Sequence, residues 1–157
     1  MQNKYTLEEL LHKAASYCSI SERCISEVEA KLTIWDVAPE DRKEIIVRLQ
    51  KDDFINEQRF CNAFVKDKFR FNKWGKIKIS LALSAKELDK TLINKAISLI
   101  DEGEYEEMLA SILKKKLQSI SYSYEYEKQG KLFLFAQSKG FEAAIIEKVI
   151  RRITLSP

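Results

Sequence analysis

The stretch TLINKAISLIDEGEY, residues 91–105, places a pair of apolar residues four positions before another apolar residue, ahead of an acidic turn. Apolar residues at this spacing lie on one face of an α-helix, so the stretch predicts a helix with one buried face. The same outline occurs earlier in EIIVRLQKDDF (44–54) and later in AIIEKVIRRI (144–153). One helical pattern therefore returns three times along the chain.

The return of this pattern has a nearly constant period. Leu49 and Ile97 are 48 residues apart, and Ile97 and Ile150 are 53 apart. A period near fifty residues predicts small units that stack in a row, because each is too small to bury its apolar face alone. Each stretch also follows a candidate helix start by some twenty residues. These starts are Ser26-Glu27-Val28, Gly75-Lys76-Ile77 and Gly130-Lys131-Leu132.

The predicted fold is all-α, with three tandem three-helix repeats. Helix-forming residues dominate, and the chain has only four glycines and two prolines to interrupt them. The predicted repeats span residues 5–53, 54–103 and 104–155.

Local signals place the helices of the first repeat. Thr6 followed by Glu9 is the pattern of a capping box and predicts the first helix start. Ser21 ahead of ERCISEVEAKL predicts a second start. Pro39, followed by two acids, predicts a third, because proline and acidic residues favour a first helical turn.

Two stretches also have some strand character. KIKISLAL (76–83) alternates apolar and polar residues, and KLFLFA (131–136) is rich in β-forming residues. Helix is preferred for both, because no hairpin turn flanks either run. In the first stretch, the residues at helical spacing that should form the buried face are Trp74, Ile77, Leu81 and Leu88.

Composition restricts the class of protein. Of 157 residues, 45% are hydrophobic and 32% are charged, which is typical of a soluble globular protein with a real core. The net charge of +3 divides into −3 over residues 1–53, +4 over 54–103 and +2 over 104–157. Three cysteines at no recurring spacing favour a reducing compartment over a disulfide framework. With no secretory signal and no apolar run of membrane-span length, we expect a cytoplasmic protein that does not bind membranes.

No set of residues indicates catalysis. His12 is the only histidine and lies one helical turn beyond two glutamates, as surface histidines commonly do. The three cysteines, Cys18, Cys24 and Cys61, fit small core positions, and their spacing matches no zinc motif. The glycines are isolated, and no carboxylate pair suggests a general acid and base. The sequence predicts no catalytic residue, no metal site and no enzymatic activity.

The stretch KDKFRFNKWGKIKIS, residues 66–80, holds six cations and one acid, and is hereafter the basic run. Without compensating acids nearby, such a run either binds polyanions with a marked salt dependence or forms a solvated helix face. Lys76, Lys78 and Ser80 carry no pattern for reading base edges, which favours contact with a phosphate backbone or an acidic protein groove. The candidate binding residues are Lys66, Lys68, Arg70, Lys73, Lys76 and Lys78.

Aromatic residues accompany these cations. We expect four apolar side chains to hold the basic run to the core while the cations stay in water. These are Phe69, Phe71, Trp74 and Ile77. A second cluster, Tyr122, Tyr124 and Tyr126, is suited either to stacking on nucleic-acid bases or to covering the seam between repeats. The seam is preferred, because tyrosine is commonly half buried.

The stretch DDFINEQRFCNAFVKDKFRFNKWGKIKISLAL (52–83) resembles the centre of the RecX family of recombination regulators. CSISERCISEVEAKLTIW resembles the first repeat of that family, and QSKGFEAAIIEKVI resembles the third. The family favours Lys-Gly before the last helix of a repeat, whereas this chain has Trp35-Asp36 and Lys86-Glu87 in its first two repeats. The central match falls on Phe54, Ile55, Asn56, Glu57, Arg59, Phe60, Phe64, Lys73, Trp74, Gly75, Ile77 and Leu81.

This resemblance implies an elongated, curved array of three-helix repeats that is basic on one side. It also implies a regulator, usually an inhibitor, of the RecA recombinase that binds the RecA filament on single-stranded DNA. Filament growth, ATP hydrolysis and strand exchange in DNA repair and the SOS response would be modulated, and the regulator itself needs no cofactor. We expect a monomer with possible non-specific contact to single-stranded DNA. Two other interpretations stay open: a tandem helix-turn-helix DNA-binding protein, and a helical-repeat adaptor with an idle basic run.

Overall fold

The structure is a computed structural model and describes residues 4–155. The described residues form nine α-helices and no strand, so the all-α prediction is confirmed. Grouped in threes, the helices form three tandem three-helix repeats, and both stretches with strand character are helical. The helices are α1 (Leu7–Ile20), α2 (Ile25–Ile34), α3 (Pro39–Lys51), α4 (Glu57–Arg70), α5 (Lys76–Ala85), α6 (Lys90–Ile97), α7 (Glu102–Ser119), α8 (Glu125–Ser138) and α9 (Ala143–Leu155).

Two of the predicted helix starts in the first repeat are confirmed. The Thr6 hydroxyl accepts a hydrogen bond from the Glu9 backbone N–H, and the Glu9 carboxylate accepts one from the Thr6 N–H, both at 3.2 Å. This reciprocal pair satisfies two backbone donors that a helix start otherwise leaves unpaired. Pro39 lies at the first position of α3, where its missing N–H costs no helical bond.

Two other predicted starts are wrong. Ser21 ends α1 in an extended conformation, and α2 begins only after Cys24. The start is set by Glu27, whose carboxylate accepts the Cys24 N–H at 3.2 Å. Gly130 lies inside α8, which starts after Tyr124. A glycine there costs about 1 kcal/mol of helix propensity relative to alanine, which the rest of the helix offsets.

The second helix of every repeat ends in the same turn. A backbone N–H closes onto the carbonyl five residues earlier, as in a Schellman motif, and the donor is an apolar residue that enters the core. The motif recurs after 51 and then 53 residues, so Ile46 rather than Leu49 is the counterpart of Ile97. The closing bonds run from Val37 to Leu32 (3.0 Å), from Leu88 to Leu83 (3.3 Å) and from Phe141 to Ala136 (3.2 Å).

The residue that reverses the chain in this turn has a positive φ in all three repeats. The angle is 59° at Asp36, 65° at Glu87 and 95° at Gly140. Glycine adopts this left-handed region freely, whereas a side chain there costs on the order of 1 kcal/mol. The departures from the Lys-Gly pattern in the first two repeats therefore keep the turn and add local strain.

The chain divides into two compact units that do not coincide with the repeats. The first unit contains the described residues up to position 64 together with residues 83–93. The second contains residues 65–82 and the described residues from position 94 onward. The middle repeat contributes residues to both units, and the predicted repeat bounds stay a prediction.

The first unit buries the apolar faces of α1, α2 and α3. Its core includes Leu10, Ala14, Val28, Leu32, Ile45 and Leu49. Polar contacts tie α2 to residues of the middle repeat: the Ile25 N–H donates to the Glu57 carboxylate at 2.9 Å, and the Lys86 ammonium pairs with Glu27 at 3.0 Å. These contacts stabilise the start of α2, where backbone donors have no helical partner.

The second unit is built around three aromatic rings. The ring centroid of Tyr105 lies 5.8 Å from that of Phe69 and 5.1 Å from that of Phe141, spacings that are favourable for aromatic pairs. The buried Tyr105 hydroxyl donates to the Glu142 carboxylate and accepts the Lys76 backbone N–H. One side chain of α7 thus links the first residue of α5 to the residue that precedes α9. Within residues 4–155, no helix combines the length and apolar character needed to cross a membrane.

Candidate polyanion interface

The basic run occupies the turn between α4 and α5 and lies within the second unit. Three of its cations are on the last turns of α4, one is in the turn, and two are on the first turn of α5. The structure thus brings the candidate residues together, but it gives them different surroundings. Lys66, Arg70 and Lys73 are exposed, and Lys68, Lys76 and Lys78 are partly buried.

Lys76 is the cation most strongly engaged within the protein. Its side chain is 17% exposed, and its ammonium lies 2.5 Å from a carboxylate oxygen of Glu102. The same ammonium is 4.5 Å from the ring centroid of Tyr105, within the range of a cation–π contact. An ammonium that already contacts a carboxylate and an aromatic ring is less available to an external anion. Lys76 is therefore foremost a structural residue.

Arg70 also has an acidic neighbour. Its Nε atom is 3.7 Å from a carboxylate oxygen of Glu104, and both side chains are about half exposed. Such a surface pair contributes at most about 1 kcal/mol. Glu102 and Glu104 belong to the first turn of α7, where acids also favour the helix dipole. The interpretation of an uncompensated run is thus wrong for Lys76 and Arg70.

Trp74 makes cation–π contacts with two further cations of the basic run. The ammonium of Lys68 is 5.0 Å and that of Lys78 is 4.7 Å from a ring of Trp74. Cation–π contacts of this kind contribute about 0.5–1 kcal/mol at exposed sites and limit where the ammonium groups move. Lys66 and Lys73, both exposed, are the residues of the basic run best placed to meet a partner.

The predicted anchors of the run are only partly correct. Phe69 is buried and Trp74 is half buried, as expected. Phe71 is 82% exposed and Ile77 is 46% exposed, so neither holds the run to the core, and Leu81 is exposed as well. These two anchor assignments, and the predicted buried face of α5, are wrong.

The buried face of α5 consists of Ile79 and Leu83, two positions away from the predicted one. The reason is a backbone contact. The Gly75 N–H donates to the carbonyl of Lys139 at 2.7 Å, and the Ile77 N–H donates to that of Gly140 at 2.9 Å. These bonds set the rotation of α5 about its axis, which periodicity alone does not determine.

This backbone contact requires a glycine. A Cβ atom on Gly75 would overlap the backbone of Gly140 and Phe141. The two turns, one between α4 and α5 and the other between α8 and α9, are therefore locked against each other. As a consequence, Lys73 and Lys139 line the same groove.

This groove, hereafter the lysine groove, is the part of the basic surface that sequence reasoning missed. It has a volume of about 360 Å³ and is lined by Lys73, by Lys115 and Lys116 of α7, and by Lys139 after α8. The half-buried ring of Phe135 also lines it, with the ammonium of Lys116 4.6 Å from the ring centroid and that of Lys139 5.8 Å away. The triple lysine of LKKKL at 114–116 was the available sequence signal.

Groups suited to catalysis do not converge on either basic region. Cys18, Cys24 and Cys61 are buried, and burial raises the pKa of the Cys61 thiol to about 11. A thiol in that environment stays protonated near neutral pH and is a poor nucleophile. His12 is exposed, and within the described residues no cluster of His, Cys, Asp or Glu is suited to a metal ion.

The tyrosine cluster does not cover a seam. Tyr122, Tyr124 and Tyr126 are all exposed, so the preferred interpretation is wrong. The rings of Tyr124 and Tyr126 stack on each other with centroids 5.4 Å apart. They lie at the start of α8, whose N-cap is Tyr124, and this position leaves the rings outside the packed face of the helix.

Together, fold and site define an all-α protein of tandem three-helix repeats whose candidate site is a basic binding surface. The pattern of a family domain described as "RecX, second three-helix domain" matches residues 56–97, the segment of α4, α5 and α6. The regulatory protein RecX of Oceanobacillus iheyensis is 26% identical over 153 residues, which cover 98% of this chain and 56% of that protein.

Other relatives agree. The regulatory protein RecX of Streptococcus gordonii is 28% identical over 128 residues, covering 82% of this chain and 49% of that protein. This chain thus spans about half the length of these curated relatives. The crystal structure of RecX from Lactobacillus salivarius superposes with a TM-score of 0.88 at 27% identity, over 96% of this chain and 97% of that one. The chain is thus similar to RecX proteins in both sequence and fold, and these comparisons support the resemblance to the RecX family.

Proposed function

We propose that this protein regulates the RecA recombinase by binding its filament on single-stranded DNA and inhibiting it. The observation that carries the proposal is the likeness to RecX over 96% of the chain, together with a basic surface inside the matched segment. The relatives are regulatory proteins, and the exposed cations are suited to a partner that presents acids and phosphates.

The proposed mechanism is occupation of the filament by a chain that carries no chemistry of its own. Lys66 and Lys73 meet filament acids or DNA phosphates, and the other cations of the basic run support them through Trp74, Glu102 and Glu104. Binding there slows filament growth, strand exchange and ATP hydrolysis by RecA. On this proposal the protein acts in the cytoplasm as a monomer, without a cofactor and not as an enzyme.

The test is a titration of single-strand-dependent ATP hydrolysis by the RecA of the same organism, at fixed salt. We expect hydrolysis to fall at substoichiometric amounts of the protein, because blocking a growing filament end affects many RecA subunits. Unchanged hydrolysis at an excess of folded protein would exclude the proposal.

The alternative is a tandem helix-turn-helix protein that recognises one duplex sequence. It predicts selection of a preferred duplex whose binding survives physiological salt. Selection from a random duplex pool distinguishes the two functions, since a filament regulator enriches no sequence.

A further inference from the structure

The lysine groove differs from the basic run in the residues that surround its cations. No acidic residue of the described chain lines it, although four lysines do. Two other grooves of the protein include an acid among their lining residues, Glu29 in the first unit and Glu147 in the second. The lysine groove is therefore a concentration of positive charge that the fold leaves without an acidic lining.

The groove also holds part of its charge in place. The ammonium groups of Lys116 and Lys139 lie over the ring of Phe135, and these cation–π contacts limit their motion. Lys139 is fixed at its backbone as well, because its carbonyl accepts the Gly75 N–H. Cations fixed before binding lose less side-chain entropy when an anion arrives.

The composition of the lining indicates the kind of anion. Arginine is favoured where a carboxylate or a phosphate is bound through two parallel hydrogen bonds, whereas lysine binds a phosphate as a point charge without a fixed bidentate geometry. All four cations of the groove are lysines, and the amide of Asn72 adds a further polar group to the lining. This set is suited to a phosphate, whose oxygens are shared among several ammonium donors.

The size of the groove indicates the strand form. A volume of about 360 Å³ is at the lower end of the range for small-molecule sites and is comparable to one nucleotide. A flexible single strand is able to turn one nucleotide into such a groove. A duplex, which is stiff over about 150 base pairs, presents its phosphates on a broad cylinder that does not enter it.

We propose that the lysine groove binds one nucleotide of a single-stranded nucleic acid, with the phosphate between Lys73, Lys115, Lys116 and Lys139. We expect the contact to be independent of base sequence, because the lysines bind the phosphate, and phosphate contacts carry no direct sequence information. The inference deepens the proposed function: a regulator with this groove holds the DNA strand directly as well as the recombinase.

The first experiment uses no recombinase, so that its outcome is independent of the proposed function. Binding of the full chain to a fluorescent oligo-dT is followed by anisotropy over a range of salt concentrations. Lys115→Glu is expected to weaken binding about tenfold, because it removes one phosphate contact and adds a repulsive charge. Lys115→Ala should also reduce the salt slope by about 0.7, the value for one phosphate contact on a single strand.

Lys114→Glu is the matched control. Lys114 is the preceding residue of α7, is exposed like Lys115, and is not part of the groove lining. The two glutamate variants have the same net charge. If Lys114→Glu weakens oligo-dT binding less than about threefold, the larger loss in Lys115→Glu is assigned to the groove. Thermal unfolding by circular dichroism checks that both variants fold.

Three outcomes would overturn the inference. Equal loss in the two glutamate variants would mean that only overall charge matters, and tighter binding to a duplex of the same length would reject the single strand. Retained oligo-dT binding by Lys115→Glu with lost inhibition of RecA would assign the groove to an acidic protein surface. Lost oligo-dT binding with retained inhibition supports the groove and shows that strand contact is separable from the proposed function.

Discussion

The basic run and the lysine groove lie in the same unit and share Lys73, but they differ in the acidic residues beside their cations. In the run, Lys76 and Arg70 are close to Glu102 and Glu104, acids that are distant in sequence. In the groove, no described acid is part of the lining, whereas an aromatic ring lies beside two lysines in both regions. The density of cations along a sequence therefore does not measure the positive charge that a folded surface offers.

The largest expected loss of stability comes from substitution of Gly75, the glycine on which both regions depend. Gly75→Ala places a Cβ atom against the backbone of Gly140 and should lower the free energy of unfolding by about 3 kcal/mol. The basic run and the lysine groove should lose binding together, because the same turn positions both. Urea denaturation and oligo-dT binding measure the two consequences.

Gly130→Ala is the control for this change. A Cβ atom at Gly130 has no neighbour within 4 Å, and the position is inside α8. Alanine there should raise the free energy of unfolding by about 0.5–1 kcal/mol, through helix propensity alone. Wild-type stability in Gly75→Ala would contradict the close approach of the two turns.

Tyr105→Phe tests the buried hydroxyl that supports the basic run. It removes the acceptor of the Lys76 N–H and the donor to Glu142, and should lower the free energy of unfolding by about 2 kcal/mol. The control is Tyr126, whose side chain is exposed. Tyr126→Phe should change the free energy of unfolding by less than about 0.5 kcal/mol. A similar small effect of both changes would mean that the hydroxyl is not a structural link.

The same hydroxyl predicts a dependence on alkaline pH. Burial, with a further contribution from the hydrogen bond to Glu142, raises the pKa of the Tyr105 hydroxyl above its usual 10. The folded protein then keeps a proton that the unfolded chain loses, so stability is full below pH 10 and falls as pH rises above it. Tyr105→Phe should reduce this fall, as measured by urea denaturation between pH 8 and pH 11.

Charge reversal at Lys66 and Lys73, the exposed lysines of the basic run, should weaken inhibition of RecA without loss of stability. Lys66→Glu combined with Lys73→Glu is expected to weaken inhibition of RecA about tenfold, equivalent to about 1.4 kcal/mol of binding. The control, Lys90→Glu with Lys95→Glu, reverses two exposed lysines of α6 with the same change in net charge. Equal inhibition by both double variants and the wild type would leave the basic run as a solvated face.

The smallest expected change in stability comes from removing an acid beside the basic run, so that the run, like the lysine groove, has fewer acidic neighbours. Glu104→Gln removes the acid beside Arg70 and should change the free energy of unfolding by only a few tenths of a kcal/mol. Affinity for oligo-dT should rise about twofold, because Arg70 is then free to pair with a phosphate. Glu107→Gln, on the same helix but paired with Arg152, is the control for net charge. An equal rise in both variants would remove the distinction between paired and available cations.

Sequence reasoning predicted the fold better than the site. The helical character of the repeated apolar stretches, the capping box at Thr6 and the role of Pro39 all hold, because each depends on residues within a turn or two of one another. The long-range alignment of the repeats was less exact, since Ile46 and not Leu49 is the counterpart of Ile97. The errors arose where neighbours in space decide. Ile77 was predicted to be buried from its helical spacing, but the contact of Gly75 with Lys139 and Gly140 turns that face of α5 outward.

The sequence by itself determined an all-α chain of three-helix repeats that resembles the RecX family, with a basic centre and three scattered cysteines. Spacing within a helix and the motifs at its ends are local, so they can be read without the fold. Only the tertiary structure decided which cations remain available. Lys76 and Glu102 are 26 residues apart in sequence, yet their charged atoms lie 2.5 Å apart. The lysine groove likewise exists only because two distant turns cross at a glycine, and a contact of that kind leaves no periodic trace in the sequence.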